Sequence, residues 1–265
     1  MYRFYTVIAV VLCMATSSKA QIANDAFYVF KSDWSPAKNL DGATYFMQVV
    51  AENDTTYYCR YYQKFGPMVK QECYKDSNLE VPNGLFIWYD KKGRMDSSGY
   101  VYQQKKDGNW QYFDDSMKVI LSEDYEQGKF IKRQNWMTKK IMYADGRYES
   151  YDTVANKTDT EKIFKVVQVE AKFKDGAQGW LHYLLNNLQI PDRLVQLNKS
   201  GTVVVGFDVD TVGNISRTMI VQSFEWSADA EAIRVIKNGP KWVPAMQNGR
   251  LVRFRQRQAI TMKVN

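Results

Sequence analysis

A repeat narrows the fold more than any other feature of this chain. Gly84-Leu85-Phe86-Ile87-Trp88-Tyr89-Asp90 and Gly108-Asn109-Trp110-Gln111-Tyr112-Phe113-Asp114 both read glycine, any residue, aromatic, any residue, two aromatics, aspartate, at an offset of 24 residues. Aromatic and β-branched residues favour a pleated surface, and glycine and aspartate punctuate it. After the first copy, Lys91-Lys92-Gly93-Arg94 reads as a turn, Tyr100-Val101-Tyr102 as a return strand and Lys106-Asp107-Gly108 as the next turn. Weaker continuations follow at Tyr125-Glu126-Gln127-Gly128-Lys129-Phe130 and Met142-Tyr143-Ala144-Asp145-Gly146-Arg147. A period in the twenties with regular turns predicts stacked β-hairpins. A lone hairpin is marginal in water, so the aromatics should pack between neighbours as a shared core.

The aromatics also divide the chain. Residues 27–151 hold 26 of the 38 Phe, Trp and Tyr, while 153–162 are polar and unpatterned. The expected organisation is a signal peptide at 1–20, a hairpin-repeat domain at 21–152, a linker at 153–162 and a second domain at 163–265. Residues 1–20 begin with Arg3, run apolar from Phe4 to Ala15 apart from Thr6, and end small and polar before Gln21, the layout of a secretory signal. Its apolar run is shorter than the roughly 20 residues needed to span a bilayer. Removing Arg3 and Lys19 from the net charge of +7 leaves +5, too diffuse and too motif-free for a nucleic-acid binder. Export permits disulfides. A hairpin centred on Phe65-Gly66-Pro67-Met68 would set Cys59 and Cys73 opposite each other, within bridging reach, and two buried free thiols are the other reading.

The last hundred residues predict helix, strand, strand, helix, strand. Asp175 stands as the cap of a helix with Ala177, Trp180, Leu181, Leu184, Leu185 and Leu188 on one face, ending before Pro191. Thr202 to Val209 alternates as a strand, Thr211-Val212-Gly213-Asn214 turns it, and Ile215 to Ser223 returns. Ser227 opens a helix carrying Ala232, Ile233 and Ile236. A final strand, Leu251 to Val264, puts Val252, Phe254, Ile260, Met262 and Val264 on one face and Arg253, Arg255, Arg257 and Lys263 on the other. The fold class is therefore mainly β hairpin repeats followed by an α+β domain, α-β-β-α-β, whose small antiparallel sheet carries two helices on one face.

No catalytic or metal constellation is visible. The single histidine, His182, reads as a surface residue off the helix's apolar stripe, and Asp208 and Asp210 read as solvent-facing carboxylates. Neither a nucleophile elbow nor a phosphate-binding glycine loop occurs. The chain is expected to be no enzyme and to use no cofactor.

Two resemblances add to these readings. Gly84 to Arg147 resembles the MORN-type hairpin repeats of exported and antitoxin-like bacterial proteins. Ala171-Lys172-Phe173, Ile190-Pro191, Gly201-Thr202-Val203-Val204-Val205, Val212-Gly213-Asn214-Ile215, Ala230-Glu231-Ala232-Ile233, Pro240 to Ala245 and Asn248-Gly249 resemble the TonB C-terminal domain. That second resemblance implies a periplasmic or envelope-associated location in a diderm bacterium. It also implies engagement of outer-membrane transport proteins, whose box-like segment adds as a strand beside the domain's sheet. The edge would be Arg253, Phe254, Arg255, Gln256 and Arg257. A second copy of the chain or an inner-membrane anchor protein are further partners left open, and energy-coupled transmembrane transport is the process implied. With 6 prolines, the chain lacks the long proline-rich spacer of an energy transducer. The alternative function is a non-catalytic envelope scaffold acting through the aromatic repeats. From Ala232 onward there are eight basic residues and no acidic ones, read either as a solvated strand face or as attraction to an acidic partner.

Overall fold

The computed structural model describes residues 26–150 and 168–264. The expected signal segment and linker lie outside the described residues. The first block is one antiparallel meander whose strand order is the chain order: β1 (Phe27–Phe30), β2 (Tyr45–Asn53), β3 (Thr56–Gln63), β4 (Met68–Tyr74), β5 (Gly84–Tyr89), β6 (Met95–Tyr102), β7 (Lys105–Phe113), β8 (Val119–Glu126), β9 (Lys129–Asn135), β10 (Lys140–Tyr143) and β11 (Tyr148–Ser150).

The aspartates that close the two sequence repeats do the same work. Asp90 Oδ1 accepts the N–H groups of Lys92 and Arg94, and Asp114 Oδ1 accepts those of Ser116 and Lys118. Each loop then places a residue in the left-handed region, Gly93 at φ 78° and Met117 at φ 59°. This is a type I turn followed by a bulge, and the register shifts beside it at Trp88/Tyr89 and Tyr112/Phe113. Asp76 with Leu79 repeats the device. The turn expected at Lys106-Asp107-Gly108 lies earlier, at Gln103-Gln104, which take φ 46° and 67°. Gly108 instead sits within β7, where the pairing with β6 slips between Ser98 and Tyr100.

The hairpin around Phe65 forms, but it does not align the cysteines. Tyr61 pairs with Lys70 and Tyr62 with Met68, so a bulge moves the register by one residue. Cys59 therefore faces Glu72, Cys73 faces Tyr58, and the two thiols point to opposite sides of the sheet. Both are buried and free, and the disulfide expectation is overturned. Burial pushes both thiols up in pKa, Cys73 to about 11.

A second repeat, invisible in the glycine pattern, holds one face of this sheet. Glu72 accepts the hydroxyls of Tyr61 (3.0 Å) and Tyr74 (3.1 Å) and pairs with Lys70 at 2.6 Å. Fifty-one residues on, Glu123 accepts those of Tyr112 (2.9 Å) and Tyr125 (3.0 Å) and pairs with Arg133. A carboxylate bridging two tyrosines and a cation satisfies polar groups that half-burial would otherwise strand.

The second block comprises α1 (Gly176–Asn187), α2 (Asp192–Gln196), β12 (Gly201–Val209), β13 (Ile215–Gln222), α3 (Trp226–Lys237), β14 (Ala245–Gln247), β15 (Arg250–Val252) and β16 (Phe254–Met262). Its main sheet has the order β13-β12-β16, and β14 and β15 form a separate hairpin. The single final strand expected at Leu251 to Val264 is thus divided, because Asn248 and Gly249, both left-handed, fold β15 back onto β14. Val203, Val205, Phe207 and Val209 of β12 form a buried face with Ile220, Ile260 and Met262. α1 starts beside Asp175, which is itself left-handed at φ 61° and makes no side-chain cap. Its inward residues are Trp180, Tyr183, Leu184 and Leu188, whereas Leu181 and Leu185 face solvent.

Both blocks share one core. Phe46, Tyr62, Met68, Ile87, Tyr89 and Met95 of the meander lie in the same buried cluster as Phe207, Ile220 and Ile236.

Candidate partner-binding edge

A three-stranded sheet has two edges, each a row of backbone donors and acceptors needing partners. The distal end of β13 is already engaged. Arg94 bridges to Gln222, and Ser223 N–H donates to Gly93 carbonyl oxygen at 2.7 Å. Met68 N–H donates to Ser223 Oγ (2.7 Å), which in turn donates to Asp229 (2.6 Å). Tyr89 hydroxyl reaches Ile220 carbonyl oxygen at 2.9 Å. The β5–β6 hairpin of the meander thus caps β13. At the opposite edge, β16 pairs with β12 over nine consecutive residue pairs, from Gly201–Met262 to Val209–Phe254. Among the described residues, no strand pairs with its outer side.

The five residues expected at this edge have different surroundings. Arg253 is exposed in the connection between β15 and β16, and Phe254 is buried in the core. Arg255 grips Asp208 with two hydrogen bonds, Nε to Oδ1 at 2.6 Å and Nη2 to Oδ2 at 3.0 Å. Gln256 turns inward and donates to Ala171 carbonyl oxygen at 3.2 Å. Arg257 is exposed opposite Gly206. Side-chain access at the edge therefore comes from Arg253 and Arg257, with Ala259 and Thr261 further along.

Asp208 corrects the expectation of a solvent-facing carboxylate. Its side chain is fully buried, because Arg255 lies directly opposite it in the ladder and Arg217 Nη1 approaches Oδ2 at 3.9 Å. Strand alternation alone placed it on the outer face, and the cross-strand arginine that covers that face was the missed signal. Asp210, by contrast, is half-buried and accepts the Val212 and Asn214 N–H groups, the same turn device as Asp90. His182 is exposed on α1 and 3.2 Å from Asn186 Nδ2. Among the described residues, no three His, Cys, Asp or Glu side chains converge as a metal site, and no helix is long and apolar enough to cross a membrane.

No curated protein matches this chain. A solved structure titled "Crystal structure of GtfA/B complex bound to UDP and GlcNAc" aligns over 52% of this chain and 28% of that one, at 9% identity and a TM-score of 0.26, too low a likeness to bear on the fold. The family model described as Gram-negative bacterial TonB protein C-terminal matches residues 186–263, from the end of α1 through β16 and the residue after it.

Proposed function

We propose that this chain is a periplasmic, TonB-like binding protein that engages outer-membrane TonB-dependent transport proteins by strand addition beside β16, as part of energy-coupled transport. The residues of the edge are Arg253 to Arg257 and the main chain that continues from them. Two findings support the reading: the family model matches the segment that contains this edge, and β16 has no strand on its outer side among the described residues. Main-chain hydrogen bonds would supply affinity, and alternate side chains the specificity. The envelope-scaffold alternative, acting through the aromatic repeats, is less favoured. Four tyrosine hydroxyls of that face, those of Tyr61, Tyr74, Tyr112 and Tyr125, are already spent on Glu72 and Glu123.

Cysteine-scanning cross-linking in intact cells separates the two. Cysteines replacing Arg257, Ala259 and Thr261 should form cross-links whose mass spectra contain the amino-terminal box segment of an outer-membrane barrel protein. A cysteine at exposed Leu185 should not. Capture only through positions on the aromatic face, such as Trp88 or Tyr112, would defeat strand addition in favour of the scaffold.

A further inference from the structure

The outer face of the β13-β12-β16 sheet carries more positive charge than its own carboxylates neutralise. Asp208, fully buried, sits between Arg255 and Arg217, so one carboxylate meets two guanidiniums. Arg257 lies two residues along β16 and therefore on the same face as Arg255, and among the described residues it makes no ion pair. The residue it faces across the ladder is Gly206, which brings no side chain to screen it.

A ribbon added beside β16 continues the same pleat. Its outer-face side chains would stand about 5 Å from those of β16 and recur every second residue. We infer that the segment this edge accepts is acidic, with carboxylates at alternating positions on the face shared by Arg255 and Arg257, and that Arg257 selects for them. Arg255 is committed to Asp208 by its two bonds, so the charge left for an added strand comes chiefly from Arg257. Like charges directly across a strand pair are unfavourable, so a basic ribbon is rejected on the same geometry. The inference rests on strand addition at β16.

Fluorescence anisotropy on the full chain tests it with three synthetic extended peptides of one β-prone sequence, bearing Glu, Gln or Lys at alternate positions. The Glu peptide should bind tightest and the Lys peptide weakest, with Glu binding falling roughly tenfold between about 0.05 and 0.5 M salt. Arg257→Glu should weaken the Glu peptide by roughly tenfold and strengthen the Lys peptide, reversing their order. Because Arg257 is exposed, circular dichroism and thermal melting of the variant should match the parent. Equal, salt-insensitive binding of the Glu and Gln peptides would overturn the charge selection while leaving strand addition standing. Failure of all three peptides to bind would overturn strand addition and the selection with it. Arg257-dependent binding of phosphatidylglycerol vesicles without binding of any peptide would assign the cations to a lipid surface and overturn the inference.

Discussion

Asp229, at the start of α3, is wholly buried. One oxygen accepts the Ser223 hydroxyl at 2.6 Å and the other the Phe224 N–H at 3.1 Å. Burial is the main force raising its pKa from 3.8 to about 7, with the neighbouring Glu225 adding to it and Arg60 opposing it. The folded chain thus holds the proton more tightly than the unfolded one. Its stabilising contribution is complete below about pH 4 and is lost as pH rises through 7. Melting measured across this range should show stability falling by on the order of a few kcal/mol, and Asp229→Asn should flatten that slope. Gly93 makes a second prediction at the scale of one atom. A Cβ there would lie 2.2 Å from Ser223 carbonyl oxygen and 2.5 Å from Pro67 Cβ, on a backbone at φ 78°. Gly93→Ala should cost clearly more, by urea denaturation, than Gly146→Ala. The latter has nothing within 4 Å and bears only the left-handed penalty of about 1–2 kcal/mol.

Among the elements, α1 shows how a correct periodicity can yield the wrong face. The apolar spacing places six residues in one broad stripe, yet its rotation is set by aromatic contacts: Phe173 to Trp180 at 5.3 Å and Trp180 to Trp242 at 6.0 Å. The Tyr183 hydroxyl fixes the helix further by donating to Val235 carbonyl oxygen at 3.0 Å. Leu185 is left 76% exposed and Leu181 57%. Replacing either by lysine should alter unfolding free energy by less than about 0.5 kcal/mol. Trp242, wedged against Phe173, Trp180 and Phe207, should cost about 3–5 kcal/mol as Trp242→Ala in the same urea titration. The cysteine hairpin and the divided final strand follow a related logic. A strand's existence depends on local composition, whereas its register depends on bulges and turns that shift the pairing by single residues.

Across the whole molecule, polar clasps reinforce the shared core. Arg193 donates to Lys64 carbonyl oxygen at 2.7 Å while pairing with buried Glu225, and Lys237 pairs with Glu52 at 2.6 Å. Phe27 of β1 meets Trp226 of α3 edge-on at 5.6 Å. A continuous core couples the unfolding of its parts, so calorimetry should give one transition, coincident with tryptophan fluorescence and far-UV dichroism. Two separated transitions would mean that the contact surface adds little to either part. Apart from α2 and the β14–β15 hairpin, which it missed, the sequence by itself determined the hairpin meander, its glycine- and aspartate-marked turns, the order α1, β12, β13, α3, β16 in the second block and the likeness carried by its markers. These follow from backbone preferences and side-chain periods that act over a few residues. Only the tertiary structure decided that Asp208 is buried under Arg255, that the cysteines part, that one sheet edge is capped by Gly93 and Arg94, and that among the described residues β16 has no strand on its outer side. Those outcomes depend on which distant groups meet, and residue spacing along a chain does not encode the single-residue slips that bring them together or keep them apart.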